Sequence, residues 1–249
     1  MVEAAYDAIA RNYQLTKASP VRAAVENWSL DQLLGDCAGL AILDAGCGEG
    51  HHARRLRRAG AARVAGVDLS PAMIALAREA EQAEPLGINY ACVAVEDLPD
   101  LYCEAGFDVA LASYLLHYAS TGDRLDRMAE RLAHALKPGG RLVGLVENPD
   151  QQPVDYAGYA PYGFDKQALE PRHEGSRIRY SLVSGRQLIH FDTFWYGRQR
   201  YEMALEAAGF EAIRWHPLEL DPAAENPDYY AAYLANPPVL GLTAVKRGR

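Results

Sequence analysis

Ala41-Ile42-Leu43-Asp44-Ala45-Gly46-Cys47-Gly48-Glu49-Gly50 is an apolar run that stops at an acid and passes into three alternate glycines. A short apolar run bounded in this way reads as a buried strand. Glycines placed straight after it let the backbone turn tightly and approach a ligand with no Cβ in the way. His52 to Ala59 then reads as a helix, with Gly60 as its stop. On the loop alone, a ligand site and a plain strand-to-helix turn fit equally well.

The context around the loop is informative. Arg63 to Val67 reads as a second strand ending in Asp68, where a carboxylate accepts hydrogen bonds from both hydroxyls of a ribose. Ser70 is placed to cap the next helix, with Pro71 at its first position and its end near Glu84. Ile88 to Val95 and Phe107 to Ala112 are the third and fourth strands. Asp123 to Leu136 is a helix closed by Lys137-Pro138-Gly139-Gly140, and Arg141 to Val146 is a fifth strand. Strands and helices alternating in this way predict an α/β fold with a Rossmann-like, doubly wound parallel sheet.

Upstream, residues 3–34 read as two helices. Tyr6, Ile9 and Tyr13 share a face of the first, and Pro20 starts the second. After Asn148 the pattern changes: residues 150–179 are rich in Pro, Gly and Tyr. Residues 177–182 and 188–194 alternate around Gly185 as an antiparallel hairpin inserted above the sheet. A helix from Arg200 to Ala208 and strands at Glu211 to His216 and Val239 to Lys246 bring the sheet to seven strands. The expectation is one domain, 1–249, in four parts. These are an N-terminal helical cap (1–40), a core (41–148), an inserted lid after the fifth strand (149–199) and the C-terminal part of the core (200–249).

The 249 residues are 49% hydrophobic and 23% charged, enough apolar side chain for one core and too little charge for wholesale disorder. The net charge of -8 is opposite to what a grip on nucleic acid requires, so a small-molecule substrate is expected and nucleic acid is not. Cys37, Cys47, Cys92 and Cys103 form no CxxC pair and no zinc spacing, which fits a reducing compartment and no metal. The opening Met1-Val2-Glu3-Ala4-Ala5-Tyr6 is acidic, and no long apolar run follows it. The expectation is a cytoplasmic monomer or homodimer with no membrane contact.

Ile42 to Gly50 resembles motif I of class I S-adenosylmethionine (SAM)-dependent methyltransferases. Val67 to Ile74, Phe107-Asp108-Val109 and Leu136 to Leu142 resemble their later motifs, in the same order and at similar spacing. The resemblance implies SAM as cofactor and S-adenosylhomocysteine as product. It implies that Asp44 and Gly46 face the methionine part beside Gly48, that Asp68 holds the ribose, and that Leu69 and Met73 flank the adenine. Val95 and Glu96 belong at the adenine edge and Ser113 beside the sulfur. Tyr6 and Tyr13 resemble a Tyr-Asp-x-x-Ala-x-x-Tyr helix that closes over SAM. Ala94 stands where many relatives place an acid for the adenine amine, and Glu96, Asp97 or a backbone carbonyl are the substitutes. More narrowly, Ala112 to Ala119, Glu147-Asn148-Pro149, Tyr162-Gly163-Phe164 and Ala207 to Phe210 resemble toxoflavin-type N-methyltransferases of bacterial secondary metabolism and antibiotic biosynthesis. That likeness implies a small planar heteroaromatic acceptor, methylated on nitrogen or oxygen.

Methyl transfer needs an aligned acceptor and, for a phenol or acidic ring N–H, a proton acceptor. His117, just past the fourth strand at the sheet edge where ligands sit, is the candidate base; a packed histidine is the other reading, and the same choice holds for His190. Tyr114, Asn148, Tyr159, Trp195 and Tyr196 are the candidate substrate contacts, within an aromatic crowd that also holds Tyr156, Tyr162 and Phe164. The run His51 to Arg58 reads as a solvated helix face, with an RNA contact as the sharper alternative. The rivals are an NAD(P)-dependent oxidoreductase, an RNA or protein methyltransferase and a non-catalytic SAM-binding module. The first expects GxGxxG, whereas position 51 is His.

Overall fold

The computed structural model describes residues 19–104, 106–184 and 187–248. Tyr6 and Tyr13 lie outside the described residues. The strands are β1 (Ala41–Ala45), β2 (Arg63–Asp68), β3 (Asn89–Cys92), β4 (Phe107–Leu111), β5 (Leu136–Glu147), β6 (Phe164–Ala168), β7 (Ser176–Ser184), β8 (Gln187–Trp195), β9 (Phe210–His216) and β10 (Val239–Lys246). Seven of them form one sheet in the order β3-β2-β1-β4-β5-β10-β9. β1 lies between parallel neighbours β2 and β4 and is covered on both faces, which is why Ile42 and Leu43 are both apolar and both fully buried.

The sheet corrects the all-parallel expectation at one strand. β10 runs antiparallel to both β5 and β9. The connection from β9, which carries the helix Asp228–Ala235, stays at the end of the sheet where β9 stops, so β10 starts beside the last residue of β5, with Val239 opposite Glu147, and runs back. Two boundaries also move. β3 ends at Cys92 because Val95–Asp97 winds into a 3-10 turn, and β5 starts at Leu136, where it pairs with Phe107 before an irregularity in register.

Residues 20–34 form one continuous helix starting at Pro20, with a π-helical stretch at Arg22–Asn27. Helix Pro71–Ala83 is capped as its sequence indicates, the Ser70 hydroxyl accepting from the Met73 N–H at 3.2 Å. The basic face of helix His51–Arg58 is solvated in part: Arg58 is exposed and Arg55 and Arg57 are half-buried, whereas Arg54 is not on it. Arg54 is buried and pairs with Glu81 at 2.9 Å and Glu84 at 2.8 Å, Arg55 pairs with Asp31, and Arg58 reaches Glu84 at 2.5 Å. The arginines tie this helix to its two neighbours.

The insert is a separate three-stranded antiparallel sheet, β6-β7-β8. In β7 and β8, Ile178, Tyr180 and Leu182 pair with Thr193, Phe191 and Ile189. These residues share the inward face, and His190 lies on the exposed one, as alternation requires. β6 has no strand-like alternation in Phe-Asp-Lys-Gln-Ala; it forms because β7 offers it an open edge. Among the described residues no helix is long and apolar enough to cross a membrane.

Candidate active site

At the C-terminal ends of β1, β2 and β4 the chain opens into a cleft. The glycine loop forms its floor with positive φ at Gly46 (74°), Gly48 (54°) and Gly50 (84°), a region that side chains other than glycine adopt at a cost. A Cβ on Gly46 would stand 3.2 Å from the Leu115 side chain. The Gly46 and Cys47 N–H groups donate to the Val67 carbonyl at 2.8 and 2.9 Å, locking the loop to the end of β2. Asp68 is locked in turn: Oδ2 accepts from Gly48 N–H and Oδ1 from Ser70 N–H, both at 2.8 Å. The carboxylate is therefore held in one orientation at the rim.

The cleft is lined by Gly46, Gly48, Asp68, Leu69, Met73, Val95, Glu96, Ser113 and Tyr114 together with Ala94 and Arg124. Glu96 pairs with Arg124 at 2.5 Å through Oε1, while its Oε2 is buried and accepts no hydrogen bond among the described residues. The Ser113 hydroxyl is likewise buried without a partner. Glu96 Oε2 and Ser113 Oγ, orphaned among the described residues at separate points of the cleft as Arg124 Nε also is, fit a polar ligand that spans it. The loop, Asp68 and these two atoms suit the amino-acid, ribose and adenine parts of SAM, with Glu96 facing the cleft where Ala94 leaves the usual acid missing.

A second cavity of about 360 Å³ adjoins the first, a size usual for small-molecule sites. Arg22, Glu26, Tyr114 and Tyr118 line both. The rest of its wall carries five further aromatic rings, Tyr162, Phe164, Tyr180, Phe191 and Tyr229, among smaller apolar residues. Tyr180 and Phe191 stack with ring planes 1° apart and centroids 5.4 Å apart. Tyr114 stands at the junction with φ 58°, a strained backbone for an aromatic residue, held by its N–H bond to Leu145 O at 2.8 Å.

Beneath this cavity lies a polar cluster centred on Glu147, whose segment Glu147-Asn148-Pro149 the sequence singles out without giving Glu147 a role. Glu147, at the end of β5, is fully buried and forms an ion pair with Lys166 of β6, whose side chain is also fully buried. Glu147 Oε2 accepts from the Tyr180 hydroxyl at 3.0 Å and more weakly from Thr193 at 3.4 Å. Lys166 also donates to Gln151 Oε1 at 2.5 Å and sits 4.2 Å from the Tyr156 ring centroid. Burial pulls the Lys166 ammonium below its ordinary range, against the opposing pull of Glu147. Burial, with the Glu147 charge beside it, pushes the Tyr180 phenol well above its own.

The candidate base meets a different environment from the one a base needs. His117 lines the second cavity, but only 1% of it is exposed and its Nδ1 accepts the Glu147 backbone N–H at 3.0 Å. Burial, and then the Lys166 charge, lower its pKa to about 3. The ring is neutral, its Nδ1 is occupied, and its proton sits on Nε2. It is a hydrogen-bond donor at neutral pH.

Several expected contacts lie elsewhere. Asp44 is buried under the loop and does not line the cleft. Asn148 is a turn residue: its Nδ2 donates to Pro237 O at 2.8 Å and its Oδ1 accepts from Asp150 N–H at 3.0 Å. Tyr159 and Tyr196 are core residues whose hydroxyls donate to Asn236 O at 2.8 Å and Ala119 O at 2.9 Å. Trp195 donates to Pro149 O at 3.2 Å and is absent from the cavity wall. An aromatic crowd does not say which rings face inward. For Tyr180 and Phe191 the alternation of the hairpin carried that signal; Glu147 stands in the Glu147-Asn148-Pro149 motif without a role, and for Lys166 the sequence carried no signal.

Comparison with known proteins agrees with this geometry. Residues 42–140 match the family model of the methyltransferase domain. A tRNA U34 carboxymethyltransferase from Cellvibrio japonicus is 35% identical over 124 residues, 47% of this chain and 36% of that protein. The chain thus spans little more than a third of the length of that relative. An N-demethylindolmycin N-methyltransferase from Streptomyces griseus is 27% identical over 186 residues, 75% of this chain and 76% of that protein. The crystal structure of a Burkholderia thailandensis 1,6-didemethyltoxoflavin-N1-methyltransferase superposes with a TM-score of 0.51 at 21% identity, covering 88% of this chain and 75% of that one. Strand order, glycine loop and family match together make residues 42–140 a methyltransferase domain of the class I, SAM-dependent fold.

Proposed function

We propose that this protein transfers the methyl group of SAM to a ring nitrogen or oxygen of a small planar heteroaromatic metabolite. The observation that carries the proposal is the aromatic-walled cavity joined to the glycine-loop cleft through a wall common to both. When bound, SAM supplies a methyl carbon activated by its sulfonium. The chain's part is to hold the acceptor in line with that carbon and to keep water away. Tyr162, Phe164, Tyr180 and Phe191 suit the faces of a flat ring system. The relative that matches three quarters of this chain is named for methylating demethylindolmycin, and the Burkholderia structure holds a fused heterocycle with S-adenosylhomocysteine; both support an acceptor of this kind and a place in secondary metabolism. The tRNA-modifying relative matches less than half of the chain, and of the arginines that would have served an RNA contact Arg54, Arg55 and Arg58 form ion pairs while Arg57 donates to backbone carbonyls.

Incubation with labelled SAM and a panel of phenols and fused pyrimidines tests the proposal, together with thermal shifts for SAM, S-adenosylhomocysteine and NADH. The adenosyl ligands should stabilise the protein and NADH should not. Asp68→Ala should abolish the adenosyl shift. Stabilisation by NADH alone, or label transfer to RNA and to no small molecule, would sink the reading.

A further inference from the structure

The second cavity has a fixed hydrogen-bond polarity, and its source is Glu147. Three of its lining residues, Tyr180, Thr193 and His117, are tied to that single residue. The Glu147 carboxylate, ion-paired with Lys166, can only accept. The Tyr180 and Thr193 hydroxyls therefore turn their hydrogens toward Oε2, at 3.0 and 3.4 Å. A hydroxyl has one hydrogen and two lone pairs, so what each leaves for a ligand is an acceptor. The Glu147 backbone N–H acts on His117 in the opposite sense: it occupies Nδ1 at 3.0 Å and so puts the ring hydrogen on Nε2.

We infer that Glu147 is the specificity-determining positioning residue of the acceptor cavity, and that the cavity selects a ligand edge bearing both an N–H donor and a carbonyl acceptor, as in a lactam or cyclic imide. The inference rests on the acceptor-cavity reading above and narrows it from any planar heterocycle to one with that edge. An edge of acceptors alone would face the lone pairs of Tyr180 and Thr193, and buried polar groups left without partners are costly. The lowered His117 pKa and the raised Tyr180 pKa agree with both groups keeping their hydrogens through the neutral range.

The test is selectivity between two probes in the presence of S-adenosylhomocysteine: lumazine, a pteridinedione with two ring N–H groups, and 1,3-dimethyllumazine, which has none. Wild type should prefer lumazine by at least ~10-fold, the scale of an unpaired buried hydrogen-bonding group. Tyr180→Phe and the isosteric Thr193→Val should each cut that ratio without changing affinity for S-adenosylhomocysteine. Glu147→Gln leaves the space beside the ligand unchanged but offers a donor as well as an acceptor, so it should bring the ratio close to one. If the ratio stays at its wild-type value in Tyr180→Phe and Thr193→Val, crowding by the methyl groups is the cause and the inference is overturned, even should Glu147→Gln fail to fold. Equal binding of the two probes by wild type overturns it as well and leaves the aromatic-cavity reading standing. Binding of neither probe removes that reading and this inference with it.

Discussion

His117 replaced by Asn keeps an oxygen where Nδ1 stands, so the Glu147 N–H retains an acceptor, while the only group at that site able to gain a proton is gone. In the native protein the ring titrates at about 3, against an ordinary 6.5. The shift is downward, so below pH 6.5 the unfolded chain binds a proton that the folded chain refuses. Stability is then lost as pH falls from 6.5 toward 3. At pH 5.0 the folded ring is still neutral and the unfolded one is protonated through 1.5 pH units, worth about 2 kcal/mol at 1.36 kcal/mol per unit. At pH 7.5 the effect is about 0.1 kcal/mol. Urea unfolding of wild type and His117→Asn at both pH values isolates the term. Between pH 7.5 and 5.0 wild type should lose about 2 kcal/mol more than the variant, or roughly 4–8 °C in Tm for a chain of this size. A difference that stays flat across that interval would mean that His117 titrates as an exposed histidine does. The neutral-donor assignment would then be wrong and the general-base reading restored.

Lys166→Met should cost about 3–5 kcal/mol, since it strands the buried Glu147 charge, whereas the double variant Glu147→Gln/Lys166→Met should recover most of the loss. A double-mutant cycle by chemical denaturation measures this, and a single-variant cost under ~1 kcal/mol would contradict a buried ion pair. At Tyr114, with φ 58°, Gly should be more stable than Ala by about 1 kcal/mol because only Gly escapes the left-handed penalty; equal thermal denaturation midpoints would show the strain to be absent. Glu96→Ala should weaken S-adenosylhomocysteine by at least ~10-fold and erase the preference for adenosyl over inosyl homocysteine, as measured by calorimetry. An undiminished preference would move the amine contact to a backbone carbonyl.

The core was legible because its signals are local. Ile42 and Leu43 run into Asp44 and three glycines, Val67 runs into Asp68, and Ser70-Pro71 caps the next helix; each is a short-range rule that the tertiary structure obeys. The cofactor side followed from the same places, so Gly46, Gly48, Asp68, Leu69, Met73, Val95, Glu96 and Ser113 all reached the cleft. The acceptor side was not legible to the same depth. Tyr159, Trp195 and Tyr196 are as aromatic as Tyr162, Tyr180 and Phe191, and only packing separates the rings that bury themselves from those that face the cavity. Lys166 sits in a segment with no periodicity, and its partner Glu147 is 19 positions away, a pairing that exists only once β6 docks beneath the end of β5. The antiparallel β10 was hidden for the same reason, since strand direction is set by the path of the connecting chain and not by the residues of the strand.

Because the strands of the insert pair, strand to strand, only with one another, the three-stranded sheet behaves as an exchangeable cassette beside a seven-stranded sheet that is continuous without it. Recombination among related genes, or grafting in the laboratory, could replace the insert's share of the second cavity's wall and leave the glycine-loop cleft intact. The seam restricts which cassettes are accepted. Glu147 belongs to the recipient and Lys166 to the donor, so a cassette with an apolar residue at the position of Lys166 would bury a lone carboxylate. The two positions should therefore be inherited together, as a compatibility lock between the seven-stranded sheet and the insert that docks on it.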